Sequence, residues 1–372
     1  MAELVTARPI QPSSGMRRSW PKDTAPRTAQ APAAATYRHS AFQDDGPSIR
    51  SSSASGCLTD TAAGVDTGGV RPLTATLAAA ALLSAAAAGA AAARMPGAPA
   101  CPVLPASNVW NRPVDALPVH PDSARLVRAI GLDERLHPDF SARGRYGIPI
   151  NVVRRSTPRR AVRFEYRSES DRVRYPIPAR PRVEGGSDRH LLMLDRDACR
   201  LYELFGARRR PDGGWSAGSG AVFDLRSNRL RPAGWTSADA AGLPILPGLA
   251  RHDEVAGGGI DHALRFTAPR TRRAYVHPAR HFASDSSNPS LPPMGLRVRL
   301  RRSVSLAGFG PQARAVLVAL RRYGMILADN GSPWYVTGAP SARWDDDDLH
   351  ELGRISGRDL EVVDTRRLRN GG

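Results

Sequence analysis

Lysine is almost absent from this chain of 372 residues: Lys22 is the only one, and arginine supplies the remaining basic side chains. An arginine bias of this kind, with abundant alanine, glycine and proline, is typical of a GC-rich genome. The formal net charge of +18 therefore predicts a solvated basic surface, because net charge alone reports on solubility and non-specific binding. No nucleic-acid-binding motif accompanies the arginines, so we expect no specific nucleic-acid partner.

Several motifs of catalysis and cofactor binding are also missing. The sequence contains no H-E-x-x-H or H-x-H pattern. Gly218-Ser219-Gly220 is not a G-x-S-x-G nucleophile elbow, and Gly257-Gly258-Gly259 lacks the Gly-Lys-Ser/Thr ending of a P-loop. These absences exclude the common signatures of zinc proteases, serine hydrolases and P-loop nucleotide-binding proteins. We predict no cofactor and no bound metal.

Cysteine occurs only three times, at Cys57, Cys101 and Cys199. Cys101 and Cys199 form an even pair without the spacing of metal ligands. In an oxidising compartment such a pair predicts a disulfide, and the alternative is two unrelated thiols.

The first 69 residues lack any apolar period of 3.6 or 2 residues. Such a segment cannot bury enough apolar surface to offset the entropy of ordering it, and we predict that residues 1–69 are disordered. A GTG start codon appears as valine when it is read internally. Translation beginning near Val70 (or Val65) would remove this segment from the protein altogether.

An alanine-rich stretch at 72–93 carries no charge and lies between Arg71 and Arg94. This pattern matches the basic, apolar and small-residue regions of a signal peptide. We predict a signal peptide at 70–93, cleaved at Ala91-Ala92-Ala93, and a secreted or extracytoplasmic protein. The alternative is an uncleaved 72–93 segment that anchors the chain in a membrane. Only four of its residues are strongly apolar, so we expect no stable membrane insertion after cleavage.

Residues 94–372 are expected to form a single mature extracellular domain. The spacing of apolar residues predicts helices at Ser123–Gly131 and from Pro311, many short strands, and a last helix at the acidic run Asp345–Asp348. Two turns predict hairpins. Asp195-Arg196-Asp197-Ala198 joins predicted strands at 190–195 and 199–205, and Asp329-Asn330-Gly331-Ser332 joins two more. These elements favour a β-rich α+β fold, a β-sandwich or jelly roll with a few appended helices.

Short distinctive stretches are spread over the mature region: LDRDAC (194–199), VFDLRSN (222–228), RPAGWTSADAAGLPI (231–245), PGL (247–249), HALRFT (262–267), PARH (278–281), PPMG (292–295) and LADNGS (327–332). With these stretches the chain resembles an uncharacterised family of secreted bacterial proteins with no established activity. At Gly259-Ile260-Asp261 and at His277 this chain departs from the pattern of that family, which carries Glu-Ile-Arg and often Trp there.

Carboxylates in or beside irregular segments are the candidate catalytic residues. Two carboxyl groups on either side of a sugar can act as acid and base, or as acid and nucleophile, if the pKa of one is raised. Asp239 and Glu254 are the first choice. For each carboxylate the alternative is a helix cap, a turn former or an ion pair with one of the many arginines. The candidates are Asp224, Asp239, Asp253 and Glu254, with Asp329 as a further carboxylate of this kind.

Other polar and aromatic side chains near this region are candidates for substrate binding. Trp235 offers an aromatic face for a sugar ring, and arginines can contact acidic sugars. His277 and His281, four residues apart, could instead hold a metal ion, and His262 and Asp253 could complete the site. The predicted binding residues are Trp235, Arg226, Arg231, Arg251, Arg265, His262, His281 and Asn228.

These observations favour a secreted carbohydrate-active enzyme, a hydrolase that uses a carboxylate pair on a cell-wall or environmental polysaccharide. The first alternative is a non-catalytic extracellular protein that binds polysaccharide or belongs to the cell envelope. The second alternative is a metal-dependent hydrolase. In each case the expected partner is a polysaccharide or a glycan of the cell envelope.

Overall fold

A computed structural model describes residues 94–144 and 146–369. The predicted disordered segment 1–69 and the predicted signal peptide 70–93 lie outside the described residues. Within the two described ranges, no helix is both long enough and apolar enough to cross a membrane.

Four α-helices form in the described ranges, and the two with the clearest sequence signals are as predicted. The stripe Val316, Leu317 and Leu320 of the third helix is buried, and Gly324 follows that helix with a φ of 68°, a conformation that glycine adopts without strain. The helices are α1 (Ser123–Gly131), α2 (His252–Ala256), α3 (Pro311–Arg322) and α4 (Asp346–His350), and short 3-10 helices lie at Val109–Asn111, Arg167–Glu169, Leu246–Gly248, Glu351–Arg354 and Gly357–Asp359.

Strands outnumber helices throughout the described chain, which confirms a β-rich α+β fold. In chain order they are β1 (Arg94–Met95), β2 (Ala98–Pro102), β3 (His137–Asp139), β4 (Ile150–Val153), β5 (Arg159–Arg160), β6 (Val162–Phe164), β7 (Tyr175–Pro176), β8 (Leu191–Asp195), β9 (Arg200–Phe205), β10 (Arg208–Arg209), β11 (Trp215–Ala217), β12 (Ser219–Asp224), β13 (Leu264–Ala268), β14 (Arg297–Leu300), β15 (Met325–Asn330), β16 (Tyr335–Thr337) and β17 (Leu360–Val362).

Two larger sheets organise these strands. One has six strands in the order β17-β14-β15-β13-β16-β3, and the other has four in the order β12-β9-β8-β4. Smaller sheets are formed by β1-β2, by β10-β11-β6 and by β5-β7. Both larger sheets contain parallel pairs, such as β13 with β15 and β4 with β8. A jelly roll is not confirmed by this topology.

The apolar run of β8 shows how the core is divided. Successive side chains of a strand point to opposite faces of the sheet. Leu192 and Leu194 belong to the main hydrophobic cluster, whereas Leu191 and Met193 belong to a second cluster on the other face. Because both faces are covered, the strand is apolar at every position before Asp195.

The predicted hairpin at 329–332 is wrong. β13 lies between β15 and β16, parallel to the first and antiparallel to the second. The Gly331 N–H donates to the carbonyl of Ala268, and the Trp334 N–H donates to that of Thr267. The buried apolar strand β13 satisfies the backbone groups of its two edges by pairing with β15 and β16. The turn between those two strands therefore crosses the end of β13.

The predicted hairpin at 190–205 is confirmed and carries the disulfide. The Asp195 carboxylate accepts hydrogen bonds from the N–H groups of Asp197 and Ala198 and so closes the turn between β8 and β9. Cys199 leaves that turn with a φ of 51° and is bonded to Cys101. The bond ties the start of the described chain to the four-stranded sheet.

Replacing both half-cystines, as C101S/C199S, is expected to lower the free energy of unfolding by about 2–4 kcal/mol. The bond closes a loop with a sequence separation of 98, and a loop of this length greatly restricts the unfolded chain. Urea denaturation of the oxidised protein and the variant measures the difference. Equal unfolding midpoints would show that the disulfide is not a structural element.

Candidate functional site

A cavity of about 430 Å³ lies where the irregular segment 226–248 meets the end of β15. We call it the aspartate cavity, because Asp239 and Asp329 both line it. Its lining also includes Tyr166, Glu169, Asp188, Phe205, Ser219, Thr236, Ser237, Ala238, Ala240, His281, Ala283 and Asn330.

Asp239 is held at the wall of this cavity by a two-pronged ion pair. Its carboxylate accepts hydrogen bonds from Nη2 and Nε of Arg265, at 3.0 and 3.2 Å. Arg265 projects from β13 and also donates to the hydroxyl of Thr337. Both partners of the ion pair are buried. Burial raises the pKa of Asp239 above its ordinary value, and the guanidinium opposes that rise.

Asp329 is more accessible than Asp239. Burial and the nearby negative charge of Asp239 raise its pKa from 3.8 to about 7, since both effects disfavour the carboxylate. Its side chain is partly exposed, and Oδ1 accepts a hydrogen bond from the N–H of Asn330 at 2.7 Å. Asp329 can therefore hold a proton near neutral pH.

A bulge in the sheet explains why Asp329 faces the cavity. Phe266 pairs with Leu327, but Thr267 pairs with Asp329, so Ala328 is an extra residue in β15. A β-bulge changes the direction of the side chains that follow it. The four residues before Asp329 are buried in succession, and the bulge ends that run.

Two further ionisable groups support the loop behind the cavity. The Glu203 carboxylate is fully buried and accepts hydrogen bonds from the N–H groups of Ile245 and Leu246 at 3.0 Å. Burial raises its pKa to about 7. This contact fixes the end of the segment that carries Asp239.

His190 supports the same loop from the start of β8. Its Nδ1 lies 2.5 Å from a Glu184 carboxylate oxygen, and its Nε2 lies 3.0 Å from the carbonyl of Ala238. Both partners only accept hydrogen bonds, so the ring satisfies both as an imidazolium. Burial lowers the pKa of His190, but Glu184 outweighs that effect and the net pKa is raised. The buried pair positions the chain next to Asp239.

Glu169 and His281 bring a second accessible carboxylate into the cavity. Glu169 is 33% exposed, and one of its carboxylate oxygens lies 3.7 Å from Nε2 of His281. That oxygen also accepts the N–H of Thr236 at 3.0 Å. His281 Nδ1 donates to the carbonyl of Ala240 at 2.8 Å. Glu169 is thus oriented towards the cavity by two neighbours.

Asp239 and Glu254, the predicted catalytic pair, have different neighbours in the structure. Glu254 accepts a hydrogen bond from Arg251 Nη2 at 2.5 Å and lies 3.1 Å from His262 Nε2. Asp253 lies 3.6 Å from the same arginine. Burial raises the pKa of Glu254, but the contacts with His262 and Arg251 outweigh burial and the net pKa is lowered. These four residues form an ion-pair cluster that does not line the aspartate cavity.

The remaining candidates from the irregular segment lie beside a second cavity, of about 470 Å³. We call it the arginine cavity. Asp224 and Trp235 line it, whereas Arg226 donates to the carbonyl of Ala198. Asn228 bonds to the side chains of Asn108 and Ser107 and ties the loop to the start of the chain. The lining comprises Asp171, Arg200, Val222, Phe223, Asp224, Ser227, Arg229, Leu230, Arg231, Pro232 and Trp235.

The histidines proposed as metal ligands have different partners. His262 contacts Glu254, whereas His281 contacts Ala240 and Glu169. Among the described residues no group of three or more His, Cys, Asp or Glu side chains is arranged to hold a metal ion.

No family model, no curated protein and no solved structure matches this chain.

Proposed function

We propose that this protein is a secreted hydrolase of polysaccharides and that the aspartate cavity is its active site. The observation that carries the proposal is the contrast between two carboxyl groups in one cavity. Asp239 is bound to Arg265, while Asp329 has its pKa raised to about 7. Carboxyl groups in opposed environments are the usual arrangement for acid and base roles in glycoside hydrolysis.

In this proposal Asp329 is the general acid. It gives its proton to the oxygen of the bond that breaks, and its charge builds up as the leaving group departs. Glu169, a second partly exposed carboxylate of the cavity, activates water or attacks the sugar. Asp239 touches neither reacting atom in this scheme. Its charge keeps the proton on Asp329, and Arg265 stabilises that charge.

Export and family membership belong to the same proposal. The disulfide between Cys101 and Cys199 is typical of an oxidising compartment outside the cytoplasm. We further propose that the chain belongs to the uncharacterised secreted family that its sequence resembles. We propose a β-sandwich as well, because the four-stranded and six-stranded sheets contribute side chains to one hydrophobic cluster.

One observation favours the alternative of a non-catalytic glycan-binding or envelope protein. Both carboxylate oxygens of Asp239 are already used by Arg265, as in many purely structural ion pairs. A metal-dependent hydrolase has no comparable observation in its favour among the described residues.

Incubation of the purified chain with a panel of polysaccharides tests the proposal. The panel contains cellulose, xylan, chitin, peptidoglycan, polygalacturonate and alginate, and new reducing ends are measured at pH 6 and pH 8. We expect release from at least one member, faster at pH 6 because Asp329 is then protonated. Binding without release on every member would replace the hydrolase by a binding protein. If the protein neither bound nor hydrolysed any member of the panel, both functions would be contradicted.

A further inference from the structure

The arginine cavity contains two cationic side chains that the rest of the site does not use. Arg200, at the start of β9, and Arg229 are exposed, and both line the cavity. Within the described ranges, neither guanidinium forms an ion pair or a hydrogen bond. Arg231, by contrast, is buried and bonded to Asp171 at 2.6 Å.

The two cavities are neighbours that share a wall. Arg231 spans it: Nη1 donates to Asp171, Nη2 to the carbonyl of Glu169 and Nε to that of Thr236. Asp171 lines the arginine cavity, whereas Glu169 and Thr236 line the aspartate cavity. The two cavities are therefore adjacent, which is what one polymer occupying both would require.

The lining of the arginine cavity combines charge with apolar surface. Trp235 is partly exposed, and its ring centroid lies 5.5 Å from Cζ of Arg231. The ring centroid of Phe223 lies 5.9 Å from the same atom. Asp224 is the one lining carboxylate without an ion pair among the described residues. Two unpaired arginines against one aspartate leave an excess of positive charge. Arginine forks bind carboxylates, and aromatic side chains pack on sugar rings.

We propose that the arginine cavity is a subsite for a uronic acid unit, so that the substrate is an acidic polysaccharide. Arg200 and Arg229 bind the carboxylate of the sugar, and Trp235 supports its ring. Asp224 accepts hydrogen bonds from the sugar hydroxyls. The identity of the substrate rests on the proposed function, but binding of the uronate can be measured whether or not hydrolysis occurs.

The test measures binding of polygalacturonate, alginate and hyaluronan by calorimetry, each alongside its carboxyl-reduced, neutral form. We expect at least one polyuronate to bind and its reduced form to bind about tenfold more weakly. R200Q/R229Q is expected to lose about the same factor, since two exposed charge-assisted contacts are removed. The matched control is R208Q/R209Q, because Arg208 and Arg209 are exposed neighbours on β10 that line neither cavity.

Four results would overturn the subsite. These are no binding of any polyuronate, equal binding of the reduced form, equal weakening by R208Q/R209Q, and full competition by single-stranded DNA of matched charge. The last two would show that the protein binds any polyanion through its basic surface. Binding that depends on Arg200 and Arg229 without release of reducing ends would support the subsite while contradicting the hydrolase.

Discussion

Replacing Asp329 with asparagine is expected to lower kcat/KM on the hydrolysed polysaccharide by about 100-fold or more. Asparagine retains an acceptor for the N–H of Asn330 but has no proton to give to the leaving oxygen. The assay measures new reducing ends. Circular dichroism under the same conditions verifies that the variant is folded like the wild-type protein. Asp212→Asn is the matched control, since Asp212 is an exposed turn residue away from both cavities.

The pH dependence of the same reaction has a defined direction. The pKa of Asp329 is about 7, so the protonated acid is present below that pH and is lost above it. We expect kcat/KM to fall about tenfold per unit above pH 7. Asp239→Asn removes a negative charge and leaves the positive charge of Arg265 unbalanced. Both effects lower the pKa of Asp329. The alkaline limb should then move to lower pH by about one unit or more.

An Asp329→Asn variant with wild-type activity would eliminate Asp329 as the acid.

The second large effect concerns stability. Asp239→Asn is expected to lower the free energy of unfolding by about 3–5 kcal/mol, because it leaves the buried Arg265 guanidinium without a counter-charge. Urea denaturation at pH 7.5 measures this loss. The double variant D239L/R265M removes both charges, and we expect it to unfold at a higher urea concentration than D239N.

The result of that comparison also separates two roles for the ion pair. If D239N lost less than about 1 kcal/mol, the buried ion pair would be a weak contact of the kind found on protein surfaces. A stable D239L/R265M protein that has lost its raised Asp329 pKa would show that the pair is kept for the electrostatics of the cavity.

Local signals in the sequence were sufficient for several elements. The apolar spacing of Ser123–Gly131, the proline that begins α3 and the Asp195 turn chemistry each act within a few residues, and all three appear as predicted. The Cys101–Cys199 disulfide was predictable from cysteine number and from the inferred compartment.

Long-range pairing was not predictable in the same way. The Asp329-Asn330-Gly331-Ser332 turn has the composition of a hairpin, but β13 occupies the position between the two flanking strands. The bulge at Ala328 depends on pairing with Phe266 and Thr267, about sixty residues away in sequence. The bulge directs Asp329 into the cavity. In the sequence Asp329 appeared only as a turn residue and as one of several candidate carboxylates.

Some of the predicted residues line the two cavities. Asp239, His281 and Trp235 do line the two cavities, whereas Glu254 is bound in its own ion-pair cluster. An irregular segment with carboxylates gives no information on which arginine each carboxylate meets. Glu169 gave no signal either, because it lies in a charged stretch far from that segment.

We expect Asp329 to carry a proton near neutral pH because it shares the aspartate cavity with Asp239. Carbon-13 NMR titration of the aspartate side-chain carboxyls measures this directly, with Asp329→Asn used to assign the resonance. We predict a midpoint near 7 for Asp329 in the wild-type protein and a lower midpoint in D239N. A midpoint near 4, the ordinary value of an aspartate, would contradict the proposed acid and the active site built around it.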